Sequence, residues 1–394
     1  MSIQLLNKNT DVSKDTGSFE KKLRNHRIKT IGIVGAVLLV LILAGSWGYI
    51  QVRNRSYETY EVVRSFERTD TVMTQYTEFL DYVLKYGKDG ISCVDSNNKL
   101  IWSQTYNMQT PMVEVCQGSV ALAEENGTDA MIFDQTGLQG TIQTRLPIRQ
   151  ISIASQGVLA ALLEDGDIMR LNLYDKKGQE LVTSKFELQD TGYPLRMSLS
   201  ADGTKLAVAF LQVKDGGIST CLAFYNFDSV GENQQDHMVA AKEISDIVVP
   251  SVKYMDDTHC FAIGTTQLLL YEGKQIPELV TSIELSEEVE SVFYSEKYLG
   301  IVQKGEEEGY LLKVYDVKGQ QKFETSFDMD YTTLKFSKEQ ILIYNEFECM
   351  MLNEYGKDFF SVTFGESVSN LYTLSGKNKY IVMHASRTDQ IRLR

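Results

Sequence analysis

The side chains able to do chemistry are few and scattered. Four histidines, His26, His237, His259 and His384, lie far apart, and no His-Glu-x-x-His or Cys-x-x-Cys spacing exists. Structural and catalytic metal sites usually draw on such local pairs, so no metal site is expected. Cys93, Cys116, Cys221, Cys260 and Cys349 form an odd, widely spaced set in apolar contexts. That is the pattern of small buried residues and not of a disulfide framework. Glu164-Asp-Gly-Asp167 groups carboxylates as a calcium loop would. It lacks the Asp-x-Asp-x-Asp-Gly ladder and the distal Glu, and it sits where a hairpin turn belongs. No glycine-rich phosphate loop and no Gly-x-Ser-x-Gly elbow occurs. The expectation is a protein that is not an enzyme and uses no cofactor.

Acidic residues remain. Glu284, Glu287 and Glu288, and the run Glu306 to Glu308, read as solvated loop faces or as a docking surface for a basic partner. The net charge is −14, but it is unevenly distributed. Residues 1–50 carry seven basic and three acidic side chains, which leaves the rest of the chain at −18. An acidic body excludes a general nucleic-acid binder, which needs a basic face. A basic segment joined to an acidic body points to two different surroundings.

The boundary between them is apolar. Thr30 to Val52 is a run of 23 uncharged residues. About 20 helical residues cross a hydrocarbon core of roughly 30 Å. Trp47 and Tyr49 sit at one end, with Lys29 and Arg53 flanking the run, all residue types that favour the membrane interface. Ala44-Gly45-Ser46 resembles a signal cleavage site, but the long preceding segment and the long apolar run favour an anchor. Positive charge is denser on the N-terminal side (Lys21, Lys22, Arg24, Arg27, Lys29) than on the C-terminal side (Arg53, Arg55, Arg64). The expected topology is a single-pass membrane protein with residues 1–29 as a basic cytoplasmic tail, residues 30–52 across the bilayer and the body outside the cytoplasm. Residues 53–78 contain Tyr57, Tyr60, Val63 and Phe66 at helical spacing, which predicts a helical stalk.

From residue 79 the pattern changes to short strands separated by one recurring turn: an apolar residue, Asp or Asn, two residues, then Gly. Copies are Asp134 to Gly137, Asp175 to Gly178, Asp316 to Gly319 and Asn353 to Gly356, with Asp95 to Asn98 as a variant. Asp caps the turn's amides, while Gly or Asn tolerates positive φ. Weaker copies start at 228 and 272, so the period is about 40 residues, the length of a four-stranded propeller blade. Residues 79–394 are therefore expected to form an all-β β-propeller. The strands at 367–373 and 379–385 would complete the first unit at 91–106. Seven blades are expected, with eight as the alternative because 79–86 and 389–394 are spare strands.

Leu199-Ser-Ala-Asp-Gly-Thr-Lys-Leu-Ala207 resembles the strand turn of TolB-like and WD40-like propellers. Asp95 through Lys99-Leu-Ile-Trp102 resembles one tryptophan-docking motif of quinoprotein-type propellers, with Asn98 in place of Gly. Across most of the chain after the membrane run, Tyr57 to Asp70, Tyr86 to Ser92 and Tyr225 to Gly231 are similar to an uncharacterised clostridial-type family of single-pass propeller proteins. That resemblance implies a domain of unknown function, so it carries no catalytic residues over to this chain. The expected role is a membrane-anchored, extracytoplasmic protein-interaction scaffold with an unidentified envelope partner. A sensor of a glycan or small molecule is the alternative, and a propeller enzyme with paired channel carboxylates comes third.

Overall fold

Short strands of β-branched and aromatic residues assemble, in the computed structural model, into eight four-stranded antiparallel sheets among the described residues. The structure describes residues 13–53, 55–68, 73–214, 216–305, 309–376 and 378–394. The chain divides into two units, Met1–Ser56 and Tyr57–Arg394.

In the first unit the helix α1 covers Ser13–Arg53 and so includes most of the basic tail. Its stretch Arg24–Gly48 is long and apolar enough to cross a membrane. Lys29 and Trp47 are exposed on it. Tyr49 and Arg53 fall within α1, and their side chains lie outside the described residues.

The second unit is a β-propeller. Blades 1 to 7 follow one another as residues 75–105, 111–143, 148–187, 193–245, 251–284, 289–327 and 333–363, each a simple four-stranded meander. The first strands of blades 2 to 5, and those of blades 6 and 7, touch in succession, which places first strands around the axis. Each interface between blades holds its own apolar cluster, as alternating side chains of adjacent sheets interleave. Trp102 of blade 1 stacks on Phe133 of blade 2 with centroids 5.1 Å apart, the one docked tryptophan of the ring.

Blade 8 closes the ring. It joins Val368–Thr373, Lys379–His384 and Arg387–Leu393 to Tyr60–Glu67, which supplies the outermost strand. Three expectations are corrected by this arrangement. There are eight blades and not seven. The spare candidates are real strands: Tyr82–Tyr86 lies inside a complete blade 1, and Arg387–Leu393 inside blade 8. Closure does not use residues 91–106, because blade 1 already has its own inner strands. Nor is 53–78 a helical stalk, since α1 stops at Arg53 and strands follow at Tyr60–Glu67 and Gln75–Phe79. The physical reason is pairing. Tyr60 to Glu67 is registered against Leu393 to Arg387, with a bulge between Val62 and Arg64, and Tyr60 packs on Phe360 and Phe364. A lone amphipathic stretch gains far less from helical propensity than from completing an open sheet edge.

Candidate functional site: the axis and the two ends of the ring

In a meander, the turns joining strands one to two and three to four lie at one end, and the other connections lie at the opposite end. Direct contacts identify the first set. The Ser119 hydroxyl donates to the Ser155 carbonyl, and the Ser155 hydroxyl to the Ala201 carbonyl, each at 2.8 Å, linking the first turns of blades 2, 3 and 4. This is called the turn end, and its opposite the loop end.

The recurring Asp/Asn–Gly turns lie at the turn end. Asp95 Oδ1 accepts the amides of Asn97 and Lys99, Asp175 those of Lys177 and Gln179, and Asp316 those of Lys318 and Gln320, at 2.8 to 3.0 Å. Asn353 accepts from Tyr355 and Lys357, and Asp134 from the Thr136 amide. Gly137, Gly178, Gly319 and Gly356 all have positive φ, and Asn98 takes the same role at φ 59°. At Gly178 a β-carbon would also lie 2.5 Å from the Thr141 carbonyl oxygen of blade 2. These residues build and dock the turns; none of them is placed around a common cavity.

The turn of the TolB-like motif pairs a buried lysine with a half-buried aspartate. Lys205 is 1% exposed and its ammonium donates to Asp202 at 2.7 Å. Burial pushes the Asp202 carboxyl upward, but Lys205, Ser200 and Thr204 outweigh it and hold its pKa below the usual value. Asp256 is likewise held low, burial being outweighed by the amides of Thr258 and His259 and by the His259 ring.

Charged residues invisible as a motif meet along the axis. Lys253 of blade 5 reaches Glu114 of blade 2 at 3.1 Å, and Arg196 of blade 4 approaches the same carboxylate at 3.8 Å. Gln117 of blade 2 donates to Glu296 of blade 6 at 3.0 Å, spanning the ring. On the other side, Lys335 of blade 7 pairs with Glu78 of blade 1 at 3.0 Å and lies 4.1 Å over the Tyr372 ring of blade 8. The two lysines respond differently. Burial disfavours both ammonium ions, but Glu114 and Tyr294 raise Lys253 above its ordinary pKa, whereas burial wins at Lys335 and lowers it despite Glu78. The sequence signal for this cluster was a single charge in an otherwise apolar first strand, as in Ser-Val-Lys253-Tyr and Thr-Leu-Lys335-Phe. Each named axial acid is engaged in a contact between blades, so the axis works as a set of struts. A cavity of about 200 Å³ remains beside Cys116, Lys253, Tyr294 and Glu296.

The loop end has the opposite character. Asp89, Glu125, Asp167, Asp190, Asp246, Glu287, Glu288, Asp328, Asp330 and Glu346 are exposed there. Three of its bases are engaged, Arg149 with Glu164, Arg170 with Asp165 and Arg387 with Glu366, while Arg145 and Lys88 are exposed among the acids. Val213 and Ile218 of blade 4 and Phe347 of blade 7 are exposed at the same end, by 71%, 49% and 46%. Glu164 to Asp167 is a hairpin turn with Gly166 at φ 63°, and two of its carboxylates hold arginines. Glu306 to Glu308 lie outside the described residues.

The other reactive side chains are placed apart. His26 lies in α1, and His237 packs on Phe227. His259 contacts Asp256 at 2.7 Å, and the buried His384 faces Asp389 at 3.5 Å. Among the described residues no three His, Cys, Asp or Glu side chains gather as metal ligands. No cysteine is in a disulfide. Burial pushes the thiols of Cys93 and Cys116 up to about 11, and those of Cys260 and Cys349 higher still, so they stay protonated near neutrality.

Residues 53–393 match a family described as a family of unknown function, DUF5711. No curated protein matches the chain. Solved propellers share its fold at low identity. AztD from Citrobacter koseri is 10% identical with a TM-score of 0.50, covering 75% of this chain and 87% of its own. A eukaryotic initiation factor is 12% identical with a TM-score of 0.50, covering 84% and 87%. BamB from Moraxella catarrhalis is 12% identical with a TM-score of 0.48, covering 85% and 100%.

Proposed function

Since the chain belongs to the DUF5711 family, whose function is unknown, we propose a role from its own geometry: a membrane-anchored, extracytoplasmic propeller that acts as a non-enzymatic scaffold and docks a basic envelope partner at its loop end. The observation that carries this reading is the contrast in how acids are used. The axial and turn-capping carboxylates named above are engaged inside the fold, while Asp89, Glu125, Asp167, Glu287, Glu288 and Glu346 of the loop end stand in solvent at the same end as exposed Phe347, Val213 and Ile218. Acidic surroundings steer a basic partner, and the apolar side chains give it area to bury. The apolar helix Arg24–Gly48 and the positive bias before it support anchoring with the N-terminus in the cytoplasm.

The test is crosslinking and recovery of the full chain from native membranes, beside the triple variant Glu287→Lys, Glu288→Lys, Glu346→Lys. A recurrent basic partner that is lost in the variant and weakened by salt is the expected result. Recovery of the same partner in equal amount by the variant, or recovery of none by the wild type, overturns the reading.

A further inference from the structure

The seam where the ring closes differs from the other blade interfaces. Between blades 7 and 8, thirteen apolar residues are buried, among them Phe359, Phe360 and Tyr380. Between blades 8 and 1 there are only five: Val83, Val94, Tyr372, Ile381 and Met383. The space left is a cleft of about 600 Å³ opening at the turn end. That is within the usual range for small-molecule sites.

Two features of its wall together suit a polar ligand, although the buried hydroxyls of Tyr225, Tyr254 and Tyr271 in other interfaces are unpaired as well. The first is an orphan hydroxyl. Tyr372 lines the cleft, is 3% exposed, and its hydroxyl has no hydrogen-bond partner; the Thr373 hydroxyl beside it is in the same position. Buried polar groups in native proteins are nearly always paired, so each such group calls for an explanation. The second is a row of like charges. Lys379 stands directly opposite Arg392 on adjacent strands, and Arg64 on the outermost strand is opposite Gln390, the residue two before Arg392. All three cations line the cleft. Cross-strand cations facing each other are unfavourable; Arg392 has Glu61 at 3.7 Å and Arg64 donates to Asn97 Oδ1 at 2.9 Å, which leaves Lys379 without a carboxylate among the described residues. The acids that line the cleft are already engaged, Glu78 by Lys335 and Asp81 by Ser375 and Lys338.

From the cleft, the unpaired hydroxyls and the cation row we infer that the blade 8–blade 1 seam binds a small hydroxylated anion, a sugar acid or sugar phosphate. Lys379, with Arg392 and Arg64, holds the anionic group, and Tyr372 and Thr373 donate to ligand oxygens. Burial holds the Tyr372 pKa well above its ordinary value, so the hydroxyl keeps its proton and serves as a donor. Ser96 and Asn97 of blade 1 form the opposite wall, with the Asn97 amide nitrogen facing the ligand's hydroxyl groups while its Oδ1 holds Arg64. This site is at the turn end and separate from the loop-end docking surface, so either reading can fail alone.

Titration calorimetry on the full chain in detergent tests it, with glucuronate, glucose 6-phosphate and glucose as probes. At least one of the two anions is expected to bind in the millimolar range or tighter, and about tenfold more tightly than glucose. Which anion binds distinguishes carboxylate from phosphate recognition. Lys379→Gln should weaken the anion about tenfold, and Tyr372→Phe a few-fold without lowering the unfolding temperature of the unliganded protein. Absence of binding by both anions, glucose binding as well as they do, or unchanged affinity in Lys379→Gln would each overturn the proposal. A fall in the unliganded unfolding temperature of Tyr372→Phe would also count against it, since that hydroxyl would then have a structural partner.

Discussion

At the turn end of the ring, Asp95, Asp175 and Asp316 each accept two backbone amides of their own turns, whereas at the loop end Asp167, Glu287, Glu288 and Glu346 stand in solvent. The same residue class thus caps turns in one setting and stands in solvent in the other. Spacing explains the difference. A carboxylate two and four residues before amides that lack a strand partner becomes a cap, while one on a connection without such amides keeps its hydration. Stability should therefore be sensitive to the turn-capping acids and nearly indifferent to Glu287 and Glu288.

The strongest way to break this comparison is Asp202→Ala. It leaves the buried Lys205 ammonium with only the Thr204 hydroxyl, and should lower unfolding stability by about 3 kcal/mol in urea titration. A loss as small as a surface substitution would mean that Lys205 is not held as described. Next comes Gly178→Ala, where positive φ and the Thr141 carbonyl both oppose a β-carbon; about 2 kcal/mol is expected. Asp175→Ala, which removes one cap, should cost about 1 kcal/mol. By contrast, the double variant Glu287→Gln, Glu288→Gln at the loop end should change stability by no more than about 0.5 kcal/mol. A larger loss there would give the loop-end acids a structural role and weaken their reading as a docking surface.

Acid titration sharpens the same contrast. Asp202, Asp256 and Asp316, all at the turn end, have folded pKa values below the ordinary carboxylate range. Burial alone would raise Asp316, but Lys322 and the amides of Gln320 and Lys318 outweigh it. A lowered folded pKa contributes stability that is present above the unfolded value of about 3.9 and is lost as pH falls through the folded one. Urea midpoints should therefore drop below about pH 4, and Asp316→Asn should make that drop shallower. An unchanged pH profile in Asp316→Asn would show that its caps do not favour the ionised form.

Much of this architecture is written locally. The turn Asp175-Lys-Lys-Gly178 can be read from four residues because its hydrogen bonds and its positive φ all fall within them. The repeat near 40 residues follows from those turns, and the propeller follows from the repeat. Blade number was harder. Tyr60 to Glu67 has aromatic and valine residues at a spacing that suits a helix face as well as a bulged strand, and only its partner decides. That partner is Arg387–Leu393, more than 300 residues away, with Ser65 donating to Asp389 at 2.6 Å. The axial pairs were illegible for the same reason: Glu78 and Lys335 come from opposite ends of the chain, and each looked like an ordinary strand charge.

By itself the sequence determined the elements whose interactions close within a few residues: the apolar run that forms part of α1, the Asp/Asn–Gly turns and the alternation of the strands. Tertiary structure alone decided how many blades complete the circle, which strand seals it, which charges meet on the axis and where a cleft remains. Those outcomes depend on loop closure over the full length of the chain. A residue there is selected by the surface that ring geometry brings opposite it, and no local pattern records that surface.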